Sequence, residues 1–392
     1  MVNKKLFKVT IHCVSHMGRC CTQMANVTNE NSAANQTNIN SVQAVRDSYF
    51  DPAWQLALTV EFYFKYAVLA IGIFGTAANA TVLYALIAHY VRDAKKRAIN
   101  LLIISQNLLD LSCCVLLVIS IAVQIDNTHR SGALGYFLCL FFFTDSAIYC
   151  ALYGSTINLV ALTIERYLKV VHAVWSKAHL KRWMIHAAMA FSWIGGIVAC
   201  TPPAVITVRV EDGMCTSDFG SAVSDYVYGS CNLLLFFFFP LLIFIYCYAR
   251  IVVVIRRQMR VMAAHNVEGS SQMNASQAQS KRIKWNIIKT MIIVTVFFVV
   301  CWLPNNIFYM ISTLTVQTST LAVGYYPTVF LIYLNICTNP FIYALKHEGV
   351  KQQLARLKIC RKPRDAGDTS GGNSNRAGGT QQTRTGAAHR PN

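Results

Sequence analysis

Seven apolar stretches, at about 66–88, 99–125, 136–168, 184–204, 226–254, 287–314 and 326–345, alternate with short polar segments along the chain. Each meets or exceeds the roughly 20 residues that a helix needs to cross the hydrocarbon of a bilayer. Seven buried helices of that length in one soluble domain would be very improbable, so the predicted fold is an all-α membrane protein, a seven-transmembrane helix bundle. The polar flanks divide the rest. Residues 1–56 form an N-terminal tail, 57–345 the bundle, 346–360 a short amphipathic juxtamembrane helix and 361–392 a tail expected to be disordered. Within 346–360, Val350, Leu354 and Leu357 recur at helical spacing among Lys and Arg, which suits a helix lying on the inner leaflet of the lipid bilayer.

Composition agrees with this pattern. Hydrophobic residues make up 54% and charged residues 13% of the 392, against about 25% charged in an ordinary soluble domain. The basic residues cluster in alternate loops: Arg92, Lys95, Lys96 and Arg97; Lys177, Lys181 and Arg182; then Arg256, Arg257, Arg260, Lys281, Arg282 and Lys284. The positive-inside rule makes those loops cytosolic, with the N-terminus extracellular and the C-terminus cytoplasmic in a multi-pass plasma-membrane protein. The net charge of +18 is then a topology signal facing anionic lipid, and no nucleic-acid partner is expected. The outer tail carries two glycosylation acceptors, Asn26-Val27-Thr28 and Asn35-Gln36-Thr37. No apolar run follows Lys4, Lys5 and Lys8, so the first span is expected to serve as its own insertion signal.

The chemistry lies inside the spans. Asn339-Pro340 sits deep in the last one, where Pro340 leaves the carbonyl of Ile336 without its helical partner and kinks the helix. Asn339 is placed to satisfy it, and Tyr343 lies one turn beyond. Pro304 frees Val300 and Pro240 frees Phe236 in the same way. Asp110 is mid-span in the second stretch, with Asn79, Ser155, Asn335 and Asn339 as neighbours on other spans. Such a set is either an oxygen-lined pocket for a small cation or a polar network that joins helices. Glu165-Arg166-Tyr167 closes the third span. Among 14 cysteines, most lie within spans at no zinc-type spacing. Cys139 and Cys215 face an oxidising compartment and can be bridged; Cys13, Cys20 and Cys21 in the tail can pair or compete.

Together these motifs resemble the rhodopsin-like (class A) G-protein-coupled receptors over roughly residues 57–360. The resemblance rests on Asn79, Asp110, Cys139, Glu165-Arg166-Tyr167, Trp193, Cys215, Pro240 with Tyr248, Phe298 with Cys301-Trp302-Leu303-Pro304, and Asn339-Pro340-x-x-Tyr343. It implies an extracellular ligand, a heterotrimeric G protein and arrestin as partners. Trp302 and Phe298 would relay ligand binding. Asp110 and its neighbours would hold sodium, with no other cofactor. Arg166, Tyr248 and Tyr343 would form the G-protein switch. Thr369, Ser370, Ser374, Thr380, Thr383 and Thr385 would accept phosphates for arrestin, and Cys360 is placed for palmitoylation.

Departures from the family pattern matter as well. The run Ser105-Gln106-Asn107-Leu108-Leu109 before Asp110 is unusually polar. Cys139 lies two residues further from Arg166 than expected, which calls for a bulge or a longer outer turn if the disulfide is to form. Lys284 replaces the acid that in some relatives restrains Arg166, leaving Glu165 as its nearest partner. Ile148 and Tyr333 stand where amine receptors and opsins carry their Asp and Lys, so neither ligand class transfers. Asp145, one turn above Ile148, can still meet a cationic group. The acidic loop of Glu211, Asp212, Asp218 and Asp225 favours a basic or amidated peptide. A small neutral or amphiphilic molecule among Tyr149, Tyr153, Phe236, Trp302, Tyr309 and Tyr333 is the close second. No nucleophile–base pair suggests an enzyme. A transporter or channel is the alternative of another class, and it would call for an internal repeat that is not seen.

Overall fold

The computed structural model describes residues 52–92, 97–125, 132–211, 214–217, 219–265, 271–314 and 319–346, together with 350, 351, 353 and 355. Asn26, Asn35, Cys13, Cys20, Cys21, Cys360 and the tail hydroxyls lie outside the described residues, as do the side chains of Lys284 and Tyr343. Val350, Lys351, Gln353 and Ala355 have helical backbone, with Val350 and Gln353 buried and Lys351 exposed.

The first span runs Pro52–Arg92, the second Arg97–Ile125, the fourth Arg182–Thr207, the sixth Ser271–Leu314 and the seventh Ser319–Lys346. The third begins as Gly132–Leu138, passes through a π turn at Cys139–Phe143 and resumes as Ser146–Val171. The fifth is Ala222–Leu233, a π turn at Leu234–Phe238, then Phe239–His265. Among the described residues six helices are apolar and long enough to cross a membrane, and Ser319–Lys346 packs among them as the seventh. The first span packs on the second and seventh, the third on the second, fourth and fifth, and the sixth on the fifth and seventh. Phe237, Phe244, Phe298, Ile148, Ile332 and Ile336 are the large buried side chains at the centre, while Phe62, Phe74, Phe191 and Leu242 face outward, as a lipid-solvated surface requires.

The first span starts well before residue 66. Glu61 and Lys65 interrupt the apolar pattern, yet both lie within the helix. Lys65 Nζ is 2.8 Å from Glu61 Oε1, and Tyr326 of the seventh span donates to Glu61 Oε2 at 3.0 Å. A paired, hydrogen-bonded carboxylate is tolerated where a bare one would not be.

Two of the proline breaks are accommodated in different ways. The π turn of the fifth span falls immediately before Pro240, the place where that proline removes a helical hydrogen bond. The freed carbonyl of Ile336 in the seventh span is met from the first span, by Asn79 Nδ2 at 3.5 Å. Asn339, which the sequence placed for that role, is turned instead to Asp110.

The third span takes up its two extra residues through its π turn and through Asp145, which adopts φ 54°. That left-handed conformation is rare for a residue with a Cβ and least costly for Asp or Asn. Ser120 Oγ of the second span donates to the Phe142 carbonyl at 2.6 Å and lies 2.8 Å from Asp145 Oδ1. Gln124 Nε2 reaches the same carbonyl at 3.2 Å.

Candidate functional site

At the Cys139 end of the bundle the segment after the fourth span forms a hairpin. Its strands β1 (Val208–Glu211) and β2 (Met214–Ser217) are antiparallel, with Val210 opposite Cys215. Cys215 is bonded to Cys139, the Cα atoms 5.5 Å apart, and both are buried with Leu140 and Val208. The disulfide therefore ties the hairpin to the π turn of the third span. Either Cys139→Ser or Cys215→Ser is expected to lower surface expression and ligand binding. The double variant should be no worse than the singles, since both remove one shared bond; additive losses in paired flow-cytometry measurements would show that the two do not act as one.

Beneath the hairpin lies a cavity of about 250 Å³. Tyr149 and Tyr153 of the third span, Tyr228 and Asn232 of the fifth, and Trp302 and Tyr309 of the sixth line it. No Asp, Glu, Lys or Arg side chain among the described residues faces it. Gly229 is what lets the fifth and sixth spans close on it: a Cβ there would stand 1.9 Å from Tyr309 Cε1. Tyr309 is anchored by its hydroxyl to the Asp225 carbonyl at 3.1 Å. Asn232, Asn305 and Asn306 also line the cavity and carried no signal in the sequence, because no spacing rule singles out an amide at the end of a span.

Three expected pocket residues lie elsewhere. Ile148 is buried in the core. Asp145 and Tyr333 bond to one another, Tyr333 Oη to Asp145 Oδ2 at 3.2 Å, on the side of the second and seventh spans. The carboxylate of Asp145 is thus already engaged by Ser120, Gln124 and Tyr333 and holds the helix break together.

From the cavity floor a column of rings descends. Trp302 meets Phe298 at 5.7 Å, Phe298 meets Phe244 edge-on at 5.7 Å, and Phe244 meets Tyr248 at 6.4 Å. These spacings suit aromatic pairs. Tyr248 Oη is 2.9 Å from Thr163 Oγ1, one turn before Arg166. At that end Glu165 Oε2 lies 3.3 Å from Arg166 Nε, and Glu165 Oε1 pairs with Lys169. The Glu165 side chain is 5% exposed, so the pair is sheltered. Tyr167 turns outward to His172 at 3.2 Å. Pro340 is buried in the seventh span.

Between the two ends sits a polar core. Asp110 is 2% exposed. Its Oδ2 accepts from Asn339 Nδ2 at 2.8 Å, and its Oδ1 accepts from Ser155 Oγ at 2.8 Å and from Gln106 Nε2 at 3.3 Å. Gln106 Nε2 also donates to Ser155 Oγ, and Gln106 Oε1 accepts from Asn158 Nδ2 at 2.9 Å. Asn79 joins through Asn107, whose Nδ2 donates to Asn79 Oδ1 at 3.1 Å. Asn335 is engaged at its backbone carbonyl, by Thr338 at 2.7 Å. The tight turn-to-turn approach of the first span belongs to the same layer: a Cβ on Gly75 would lie 2.6 Å from the sulfurs of both Cys114 and Cys337. This donor set does not fit a metal cation, because an amide nitrogen stands against both oxygens a cation would need. Gln106, Asn107 and Asn158 are the members that sequence reasoning missed; the polar run before Asp110 was the signal for the first two.

The comparisons agree with this geometry. The sequence profile of the 7 transmembrane receptor (rhodopsin family) matches residues 78–343, well over half the chain. Somatostatin receptor type 5 of Rattus norvegicus is 28% identical over 58% of this chain and 60% of its own length. The substance-K receptor of Mus musculus is 26% identical over 67% of this chain and 64% of its own, so each of these matches spans less than two-thirds of the relative. The substance-P receptor of Homo sapiens is 22% identical over 85% of this chain and 79% of its own. Squid rhodopsin superposes with a TM-score of 0.62 at 17% identity, covering 77% of this chain and 86% of that one, a likeness of fold. The chain belongs to the seven-transmembrane receptor (rhodopsin) family.

Proposed function

We propose that this receptor binds an extracellular peptide in the cavity beneath the hairpin and activates a heterotrimeric G protein at the end that carries Arg166. The observation that carries the reading is the unbroken ring column Trp302–Phe298–Phe244–Tyr248. A ligand that moves Trp302 moves a chain of packed side chains reaching the turn before Arg166, and packed cores answer such a push by changing between discrete arrangements. The indole N–H of Trp302 supports the reading, since it is buried without a hydrogen-bond partner among the described residues and offers a donor to whatever fills the cavity. Relatives named as receptors for somatostatin, substance K and substance P favour a peptide. The N-terminus would then lie outside the plasma membrane and the basic loops inside. Arrestin and the lipid bilayer are further partners on this reading.

Cells expressing the chain, challenged with peptide and small-molecule collections while nucleotide exchange is read on several G-protein classes, provide the test. At least one peptide should promote exchange, and Arg166→Ala should remove the response. Uptake of a labelled solute into vesicles holding the purified chain, with no ligand-dependent exchange, would replace the receptor reading by a transporter.

A further inference from the structure

We infer that the side-chain amide of Gln106 takes the place of a metal cation in the polar core, so that the chain's central network is indifferent to sodium. The family resemblance leads one to expect a cation held between Asp110 and Ser155. A cation held there would have to touch Asp110 Oδ1 and Ser155 Oγ together. Gln106 Nε2 already lies within hydrogen-bonding distance of both, and those two oxygens are 2.8 Å apart. The amide nitrogen, carrying two N–H donors, stands at the third corner of that triangle.

The placement follows from sequence spacing and local chemistry. Residues 106 and 110 are four apart on one helix, so their side chains share a face. A carboxylate only accepts hydrogen bonds, which sets the orientation of the amide: nitrogen toward Asp110, oxygen away. Behind it, Asn158 Nδ2 donates to Gln106 Oε1 at 2.9 Å and is itself fixed to the Leu102 carbonyl at 3.0 Å. Gln106 is 1% exposed and Asn158 fully buried. An entering cation would have to expel the amide, leaving its nitrogen without a partner in a buried site and Asn158 with the Leu102 carbonyl alone, and each unmade hydrogen bond in such a place costs on the order of a full desolvation penalty. The carboxylate meanwhile has little to gain, because Asn339 donates to its other oxygen. The network joins the second, third and seventh spans with a neutral donor where a cation would otherwise join them.

Thermal unfolding of the purified full-length receptor in sodium, potassium and N-methylglucamine chlorides at equal ionic strength tests this without a known ligand. The unaltered protein should give the same midpoint in all three salts. Gln106→Leu and Gln106→Ala should each gain a sodium-specific rise of a few degrees, as a ligand that binds only the folded state produces. Adding Asp110→Asn to either should abolish that gain. A sodium-specific rise in the unaltered protein that Asp110→Asn removes would overturn the inference. So would a Gln106→Leu protein with a sharp transition and no sodium response. If neither Gln106 variant folds, the unaltered protein and Asp110→Asn decide the matter by the same criterion.

Discussion

Gly196→Ala is expected to destabilise the receptor by about 1–3 kcal/mol, the usual cost of forcing a methyl into a packed core, and to cut its surface level several-fold. The fourth span is the least buried of the six strongly apolar helices, and its attachment rests mainly on its seam with the third. There the two backbones touch. A Cβ on Gly196 would stand 2.2 Å from the Cys150 carbonyl oxygen, 2.7 Å from Gly154 N and 3.0 Å from Gly154 Cα. None of these atoms can swing aside, so the helices would have to part. Small residues at such crossings permit the close approach that replaces hydrophobic driving force within a bilayer. Parting them would also stretch the sulfur contacts of the same seam, Cys200 Sγ to the Ser146 carbonyl at 3.3 Å and Cys150 Sγ to Thr201 Oγ1 at 3.7 Å. Gly195 is the control. A Cβ there meets Ile157 Cδ1 at 2.9 Å, the end of a side chain that can turn. Unfolding midpoints and surface expression of the two alanine variants make the comparison. Equal midpoints would show that the seam yields, and that the fourth span is held by something else.

The spans were legible because a bilayer imposes a length that no other environment demands of consecutive apolar residues. The ends and interruptions were not. Glu61 and Lys65 read as the edge of a span, because the pairing that shelters them depends on Tyr326, 265 residues away in sequence. A count of residues between Cys139 and Arg166 announced that something extra lay between them. It had no means of showing that the surplus divides between a π turn and a left-handed Asp145, nor that Ser120 and Gln124 supply the missing donors. The same limit governs the proline kink in the seventh span. Helical periodicity ranks partners along one helix, so it nominated Asn339 for the carbonyl of Ile336, whereas the contact comes from Asn79 on another helix. Asp110 was identified from its charge at membrane depth, which is expensive anywhere and conspicuous in any sequence. Gln106 has no charge to betray it. Only the positions of Ser155 and Asn158, fixed by how the third span packs, turn an odd glutamine into a member of the site.

Glu165→Gln is expected to raise ligand-free signalling about tenfold on the proposed receptor reading, and Arg166→Ala to abolish signalling while sparing ligand binding at the far end. Glu165 reaches Arg166 at 3.3 Å and also holds Lys169, so one carboxylate restrains two cations from a position that is 5% exposed. By the family resemblance, position 284, where some relatives carry an acid that restrains Arg166, is Lys284, and a like charge offers Arg166 no attraction. Removing the charge of Glu165 while keeping its shape therefore weakens the hold on Arg166 with little loss of packing. Arg166 is itself only 11% exposed in its side chain, so the lost attraction is less screened than on an open surface. A loss of about 1.4 kcal/mol in favour of the resting arrangement corresponds to the tenfold change. The matching variant is Lys284→Glu, which adds an attractive partner and should lower basal output, by about 1 kcal/mol or less if the new pair is exposed to solvent. Basal nucleotide exchange at matched surface expression measures all three. If Glu165→Gln leaves basal exchange unchanged while Arg166→Ala still silences the receptor, Arg166 is the contact for the G protein but Glu165 is not its restraint, and the resting state must be held by the ring column and the polar core above it.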